Sequence, residues 1–241
     1  MVVVERAVMP LVSPRAGWPR CRAKGVTIHV MPTIGFLHTS PVHVPTFEAL
    51  LKEVAPSAHA LHVVDEDLLA DARTHGPAAV ADRVQTALLG LQDRGAGVVC
   101  CTCSTIGDVA EQAEVAIPVF RVDRPMASQA VKAGRRVGVV AALESTIAPT
   151  STLLEDVARE AGRAVELQPV LVEDAWARFE AGDVAGYLEL ITEAARGMAR
   201  GVDVIVLAQA SMSGAQAALG DLPIPVLSSP RAAAEHLVVH F

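Results

Sequence analysis

A dense run of basic residues is missing from this chain. Its 20 Lys+Arg are outnumbered by 27 Asp+Glu, for a formal net charge of -7, and the small cluster of Arg20, Arg22 and Lys24 does not change that balance. Nucleic acid and a basic membrane patch are therefore not expected partners. No apolar run approaches the roughly 18 residues of a bilayer span, so no membrane partner is expected on that ground either. Neither a Gly-rich dinucleotide turn nor a Walker-type phosphate loop occurs, which leaves nicotinamide cofactors and nucleoside triphosphates without support. Cysteine is sparse: of four in all, three fall at Cys100, Cys101 and Cys103, an arrangement that cannot make a disulfide framework. A reducing cytoplasm is the expected setting. Cys101-x-Cys103 has no second ligand cluster at zinc-like spacing, so no metal is expected.

What the chain does have is apolar content. At 241 residues and 51% hydrophobic, it has ample material for one large domain or two small ones. Residues 1–25 contain Pro10, Pro14, Pro19, Glu5 and Arg6, lack a signal-peptide apolar region, and are expected to form a loose tail. From Val26 onward, short β-branched runs alternate with Ala/Leu-rich helical patterns, the signature of an α/β fold with buried parallel strands. Strands are expected at Thr33–His38, Ala60–Val64, Gly97–Thr102, Pro118–Val122, Arg136–Ala141, Glu166–Leu171, Val204–Ala208 and Pro225–Ser228. Helical stripes cover Pro77–Arg94, Ser151–Ala161 and Asp183–Arg200, with a last helix over Pro230–His240.

The same programme runs twice. Ile34-Gly35-Phe36-Leu37-His38-Thr39 opens one half and Val137-Gly138-Val139-Val140-Ala141-Ala142 the other. Later in each half come Gly97-Val98-Val99-Cys100-Cys101-Thr102-Cys103 and Val204-Ile205-Val206-Leu207-Ala208-Gln209. The expected architecture is two pseudo-symmetric α/β lobes, residues 26–130 and 131–229, with helix 230–241 returning to the first. Strand ends of both lobes then face one cleft, the usual ligand position in open α/β sheets.

Cys100 and Cys101 lie inside an apolar run and read as core fillers. Cys103 sits where the strand stops and a helix starts, so two readings stand: a small apolar filler, or a thiolate favoured by the positive end of a helix. His38 closes the first strand beside Thr39, a position from which side chains reach a cleft. The dispersed histidines, His59 and His62 among them, read as surface or packing residues.

The strand followed by Cys103-Ser104-Thr105 resembles the Cys-Asn-Thr motif of aspartate and glutamate racemases, and Leu207-Ala208-Gln209-Ala210-Ser211-Met212 resembles the second-lobe motif of one branch of the Asp/Glu/hydantoin racemase superfamily. The resemblance covers Ile34 to Leu237. It implies two flavodoxin-like lobes with parallel sheets and a cofactor-independent enzyme holding a small carboxylate substrate between them, with Cys103 as catalytic thiolate. It places the family's Asp-Ser pair on His38-Thr39, and its carboxylate-binding groups on Thr39, Ser104, Thr105, Thr146, Ala210 and Ser211. The chain departs from the family at the second catalytic cysteine, where Gln209 stands. An amide does not exchange a proton near neutral pH, so the two-thiol route is closed, and His38 is the expected substitute acid/base. The expected function is an amino-acid racemase or isomerase-type enzyme. Alternatives are a single-cysteine decarboxylase, a cis-trans isomerase of a small diacid, and a non-catalytic carboxylate-binding protein. A homo-oligomer is left open.

Overall fold

The computed structural model describes residues 32–238; the N-terminal tail expected over residues 1–25 lies outside them. Two four-stranded, all-parallel sheets organise the described chain. The first uses β1 (Thr33–His38), β2 (His59–Val64), β3 (Val98–Cys101) and β4 (Val119–Arg121) in the order β2-β1-β3-β4. The second uses β5 (Arg136–Ala141), β6 (Glu166–Leu171), β7 (Val204–Leu207) and β8 (Val226–Ser228) in the order β6-β5-β7-β8. The two orders are the same, so the repeat seen in the sequence is a repeat of topology.

Helices cover both faces of each sheet, as parallel strands require. They are α1 (His43–Val54), α2 (Asp67–His75), α3 (Ala81–Asp93) and α4 (Gly107–Glu111) in the first lobe, then α5 (Arg124–Ala133), α6 (Glu144–Glu160), α7 (Ala175–Glu180), α8 (Val184–Met198) and α9 (Ser229–Val238). The stripe read over Pro77–Arg94 divides into a 3-10 turn, Pro77–Val80, and α3. Helix α6 begins earlier than its apolar stripe, at Glu144, and runs through Pro149. A proline inside a helix removes one backbone donor and reads as a breaker, which is why the pattern suggested a start after it.

Strand parity sorts the core. On β3, Val98 and Cys100 join Ile34 and Phe36 on one face, while Val99 and Cys101 join Leu37 on the other. In the second lobe, Val204 and Val206 pack with Val137 and Val139, and Ile205 and Leu207 with Val140. Ala233 and Leu237 of α9 enter the first lobe's core beside Ile34 and Phe36. Full burial of an apolar side chain is worth about 1.5–3 kcal/mol, so four such clusters give the backbone a rigid frame from which short loops project.

Candidate active site

The loops that follow β1, β3, β5 and β7 meet in one cleft. Its walls include Thr39, Ser40 and His43 after β1, Thr102, Cys103, Ser104 and Thr105 after β3, Leu143 and Thr146 after β5, and Gln209, Ala210 and Ser211 after β7. Leu69 of α2 and Trp176 of α7 complete it. The strand order turns between β1 and β3, and between β5 and β7, so both lobes present the switch points at which open α/β sheets bind ligands. The cavity volume is about 30 Å³, room for one or two water molecules.

Cys103 is 8% exposed and lines the cleft at the start of a 3-10 turn, Ser104–Ile106, that leads into α4. Its neighbours in sequence behave differently. Cys100 and Cys101 are fully buried, and burial raises both thiols above their ordinary range, which keeps them protonated. The filler reading therefore holds for these two, whereas Cys103 reaches the cleft.

The turn is held from several directions. Ser104 Oγ donates to the carbonyl of Ala208 in the other lobe at 3.0 Å. Thr105 Oγ1 and Thr146 Oγ1 share a hydrogen bond of 3.3 Å, also between lobes. Beneath them, buried Arg121 donates to the Ser104 carbonyl at 3.2 Å and to the Pro149 carbonyl of α6 at 3.3 Å. Arg121 is itself neutralised by Asp123, through Nε to Oδ1 at 2.7 Å and Nη2 to Oδ2 at 2.9 Å. Gly107 makes this possible, since a Cβ there would lie 2.8 Å from Arg121 Cβ.

Gln209 occupies the second-lobe position equivalent to Cys103. Its Oε1 accepts from the Ala142 backbone N–H at 2.8 Å. A backbone N–H only donates, so the amide orientation is fixed and Nε2 is the group left over. That Nε2 is buried without a hydrogen-bond partner, an expensive condition unless a ligand acceptor meets it. Beside it, Ser211 Oγ is 2.8 Å from the hydroxyl of buried Tyr187. Burial pushes Tyr187 up to about 12, partly opposed by this hydrogen bond, so the phenol stays protonated.

His38 does not line the cleft, and its expected role as the substitute acid/base is corrected here. Even-numbered residues of β1 point to the face covered by α1, and His38 follows Ile34 and Phe36 there, with ring centroids 5.7 Å from Phe36 and 5.9 Å from Phe47. Both ring nitrogens are engaged. Thr102 Oγ1 donates to the Leu37 carbonyl at 3.2 Å and so accepts from His38 Nδ1 at 2.8 Å; His38 Nε2 then accepts from His62 Nδ1, also at 2.8 Å. Burial, then the neighbouring His62 and His43, lower His38 to about 3. His62, read as a surface or packing residue, is the half-buried end of this chain, lowered chiefly by burial. The imidazole that reaches the cleft is His43, lowered to about 4 by burial. Thr39, Ser104, Thr105, Thr146, Ala210 and Ser211 all line the cleft as the sequence suggested. Sequence reasoning missed Ser40, His43, Thr102, Leu69, Leu143 and Trp176. Only Ser40 and Thr102 carried a signal, their places beside Thr39 and Cys103.

Among the described residues, no cluster of three or more His, Cys, Asp or Glu side chains is placed to hold a metal, and no helix is long and apolar enough to cross a membrane.

A family model described as Asp/Glu/Hydantoin racemase matches residues 37–237. The chain belongs to the Asp/Glu/hydantoin racemase family. Among solved structures it resembles the aspartate racemase of Picrophilus torridus, with a TM-score of 0.69 and 15% identity over 86% of this chain and 93% of that one. The allantoin racemase of Pseudomonas fluorescens gives 0.60 and 20%, over 86% and 90%. A Gly74Cys mutant of arylmalonate decarboxylase gives 0.53 and 20%, over 86% and 91%. No curated protein sequence matches the chain. At these identities the structural likeness speaks for a racemase-family fold, and the chemistry has to be argued from the cleft.

Proposed function

We propose that this racemase-family protein is a cofactor-independent, isomerase-type enzyme that moves a proton at the α-carbon of a small carboxylate, with the Cys103 thiol as the proton-transferring group. The observation that carries this reading is the pairing of Cys103 and Gln209 at equivalent strand ends of one cleft, one a proton carrier and the other a donor with a fixed, unpartnered Nε2. Loss of the α-proton to a Cys103 thiolate leaves an enediolate whose charge gathers on the carboxylate oxygens. Gln209 Nε2 and the Thr105, Thr146 and Ser211 hydroxyls are the donors that answer that charge, stabilisation of the kind that contributes most when donors are held in place beforehand. Inversion needs a second proton carrier, and the other imidazole or thiol among the described residues of the cleft wall is His43, lowered by burial: it takes the α-proton in one direction while the Cys103 thiol returns one, and the imidazolium and thiolate so formed serve the reverse direction.

Gln209 favours a second reading. Because its amide binds oxygen without exchanging a proton, a single-thiol lyase also suits the cleft: carbon dioxide leaves, Gln209 steadies the enediolate, and Cys103 protonates it from one face.

Proton NMR in deuterium oxide separates the two. Deuterium entering at the α-carbon with inversion supports the isomerase; carbon dioxide release with one-handed deuterium incorporation supports the lyase. In either case Cys103→Ser should reduce turnover by at least about two orders of magnitude while folding normally. Full activity in that variant refutes the thiol mechanism, and no chemistry on any carboxylate refutes the enzyme.

A further inference from the structure

The composition of the cleft wall restricts what the reacting carbon carries. Among the described residues that line it there is no Asp, Glu, Lys or Arg. Where the family resemblance places an aspartate, the chain has His38, neutral, turned into the core and hydrogen-bonded at both nitrogens. Asp123, fully buried beneath the Cys103 turn, has both carboxylate oxygens occupied by Arg121. Among the described lining residues, the buried side-chain atom without a hydrogen-bond partner is a donor, Gln209 Nε2, which attracts an oxygen and repels a cation. A substrate ammonium would give up its water shell here and meet no carboxylate in return.

A different character appears elsewhere in the cleft wall. Leu69, Leu143 and Trp176 supply apolar surface. The indole N–H of Trp176 is already donated to Glu180 Oε1 at 2.5 Å, and the ring packs on Phe179 at 4.8 Å between centroids. Its polar atom is therefore satisfied along its own helix, and its carbon surface is what a ligand meets. Glu180 is in turn 3.5 Å from Arg73 of α2, so its charge is answered as well.

We infer that the cleft selects a carboxylate whose reacting carbon bears an apolar group and no ammonium, with Trp176 as the residue that recognises the apolar group. The inference rests on the reading of this cleft as a carboxylate site. It makes the substrate a substituted acetate or malonate in chemical class, and it separates this chain from enzymes that act on free amino acids.

The test uses an almost isosteric pair, 2-phenylpropanoate and 2-phenylglycine, which differ by methyl against ammonium. Deuterium exchange at the α-carbon is followed by NMR with the full chain, each rate divided by its uncatalysed rate, and the corresponding malonates report carbon dioxide loss. The ammonium-free member should be favoured by about 100-fold or more, the scale on which an unmet polar group is rejected. Equal or better processing of 2-phenylglycine overturns the inference. If neither compound reacts, calorimetric binding to the same protein decides. Binding of 2-phenylpropanoate alone upholds the selectivity and refutes the catalytic reading, while equal binding of both, or of neither, overturns the selectivity. Trp176→Ala should reduce the preference for phenyl over methyl substituents by about 10-fold. An unchanged preference removes Trp176 from the proposal.

Discussion

Acidification from pH 7 to pH 5 should destabilise this protein through His38. The folded-state value of about 3 lies below the ordinary imidazole value of 6.5, so between these values the unfolded chain binds the proton and the folded chain does not. Stability from this group is therefore complete above about pH 6.5 and is lost progressively as pH falls toward 3. At pH 5 the unfolded imidazole is almost fully charged while the buried one remains neutral, and the linkage relation gives a loss of about 2 kcal/mol relative to pH 7. For a chain of this length that is a fall in Tm of about 4–8 °C. His43, lowered to about 4, acts in the same direction. The contribution of His38 is isolated by urea unfolding of the native protein and His38→Asn at both pH values. The variant keeps a donor near Thr102 and has nothing to titrate there. It should start less stable at pH 7, by about 1–3 kcal/mol for the disturbed hydrogen bonds, and lose about 2 kcal/mol less on going to pH 5. Parallel losses in the two proteins would mean that His38 charges inside the fold, and the reasoning would fail.

Asp123→Asn should cost about 3–5 kcal/mol in urea unfolding, because it leaves the Arg121 guanidinium buried without its counter-charge. Gly107→Ala pushes a methyl against Arg121 and should cost about 1–3 kcal/mol; the two substitutions should combine non-additively, since both act on Arg121, and strict additivity in a double-mutant cycle would refute the shared mechanism. Thr146→Val removes the proposed carboxylate donor and leaves the Thr105 hydroxyl without its partner, so carboxylate affinity measured by calorimetry should weaken about 10-fold. Unchanged affinity would place the ligand elsewhere in the cleft.

All eight strands were legible within a residue or so: the inner strands β1, β3, β5 and β7 are short apolar runs buried on both faces, and the partly buried edge strands β2 and β6 were marked by their place in the repeat. The cleft followed from the repeat, since equivalent strand ends in two equivalent lobes turn toward each other. What the sequence concealed was direction. His38 and Thr39 are adjacent, yet strand parity turns one into the core and leaves the other in the cleft, and the covering helix that settles the matter, α1, shows no strong start signal. His43 lies in the first turn of that helix, where nothing in its spacing marks it. Trp176 follows Asp174, which adopts a left-handed conformation with φ 62°, so the chain enters α7 through a backbone turn that a non-glycine residue does not advertise. Leu69 and Leu143 are ordinary apolar residues whose place in the wall depends on how two lobes meet, information held by no local window.

The hydroxyls that would receive a ligand are also the ones that join the lobes. Thr105 and Thr146 bond to each other across the gap, so an incoming group exchanges partners with an existing contact instead of meeting an empty one. A neutral amide or ester would replace one neutral hydrogen bond by another and gain little. A carboxylate replaces it by charge-assisted bonds roughly twice as strong. On the proposed reading the unliganded lobe contact would thus act as a reference against which every visitor is compared, with net charge on the visiting oxygens tipping the comparison.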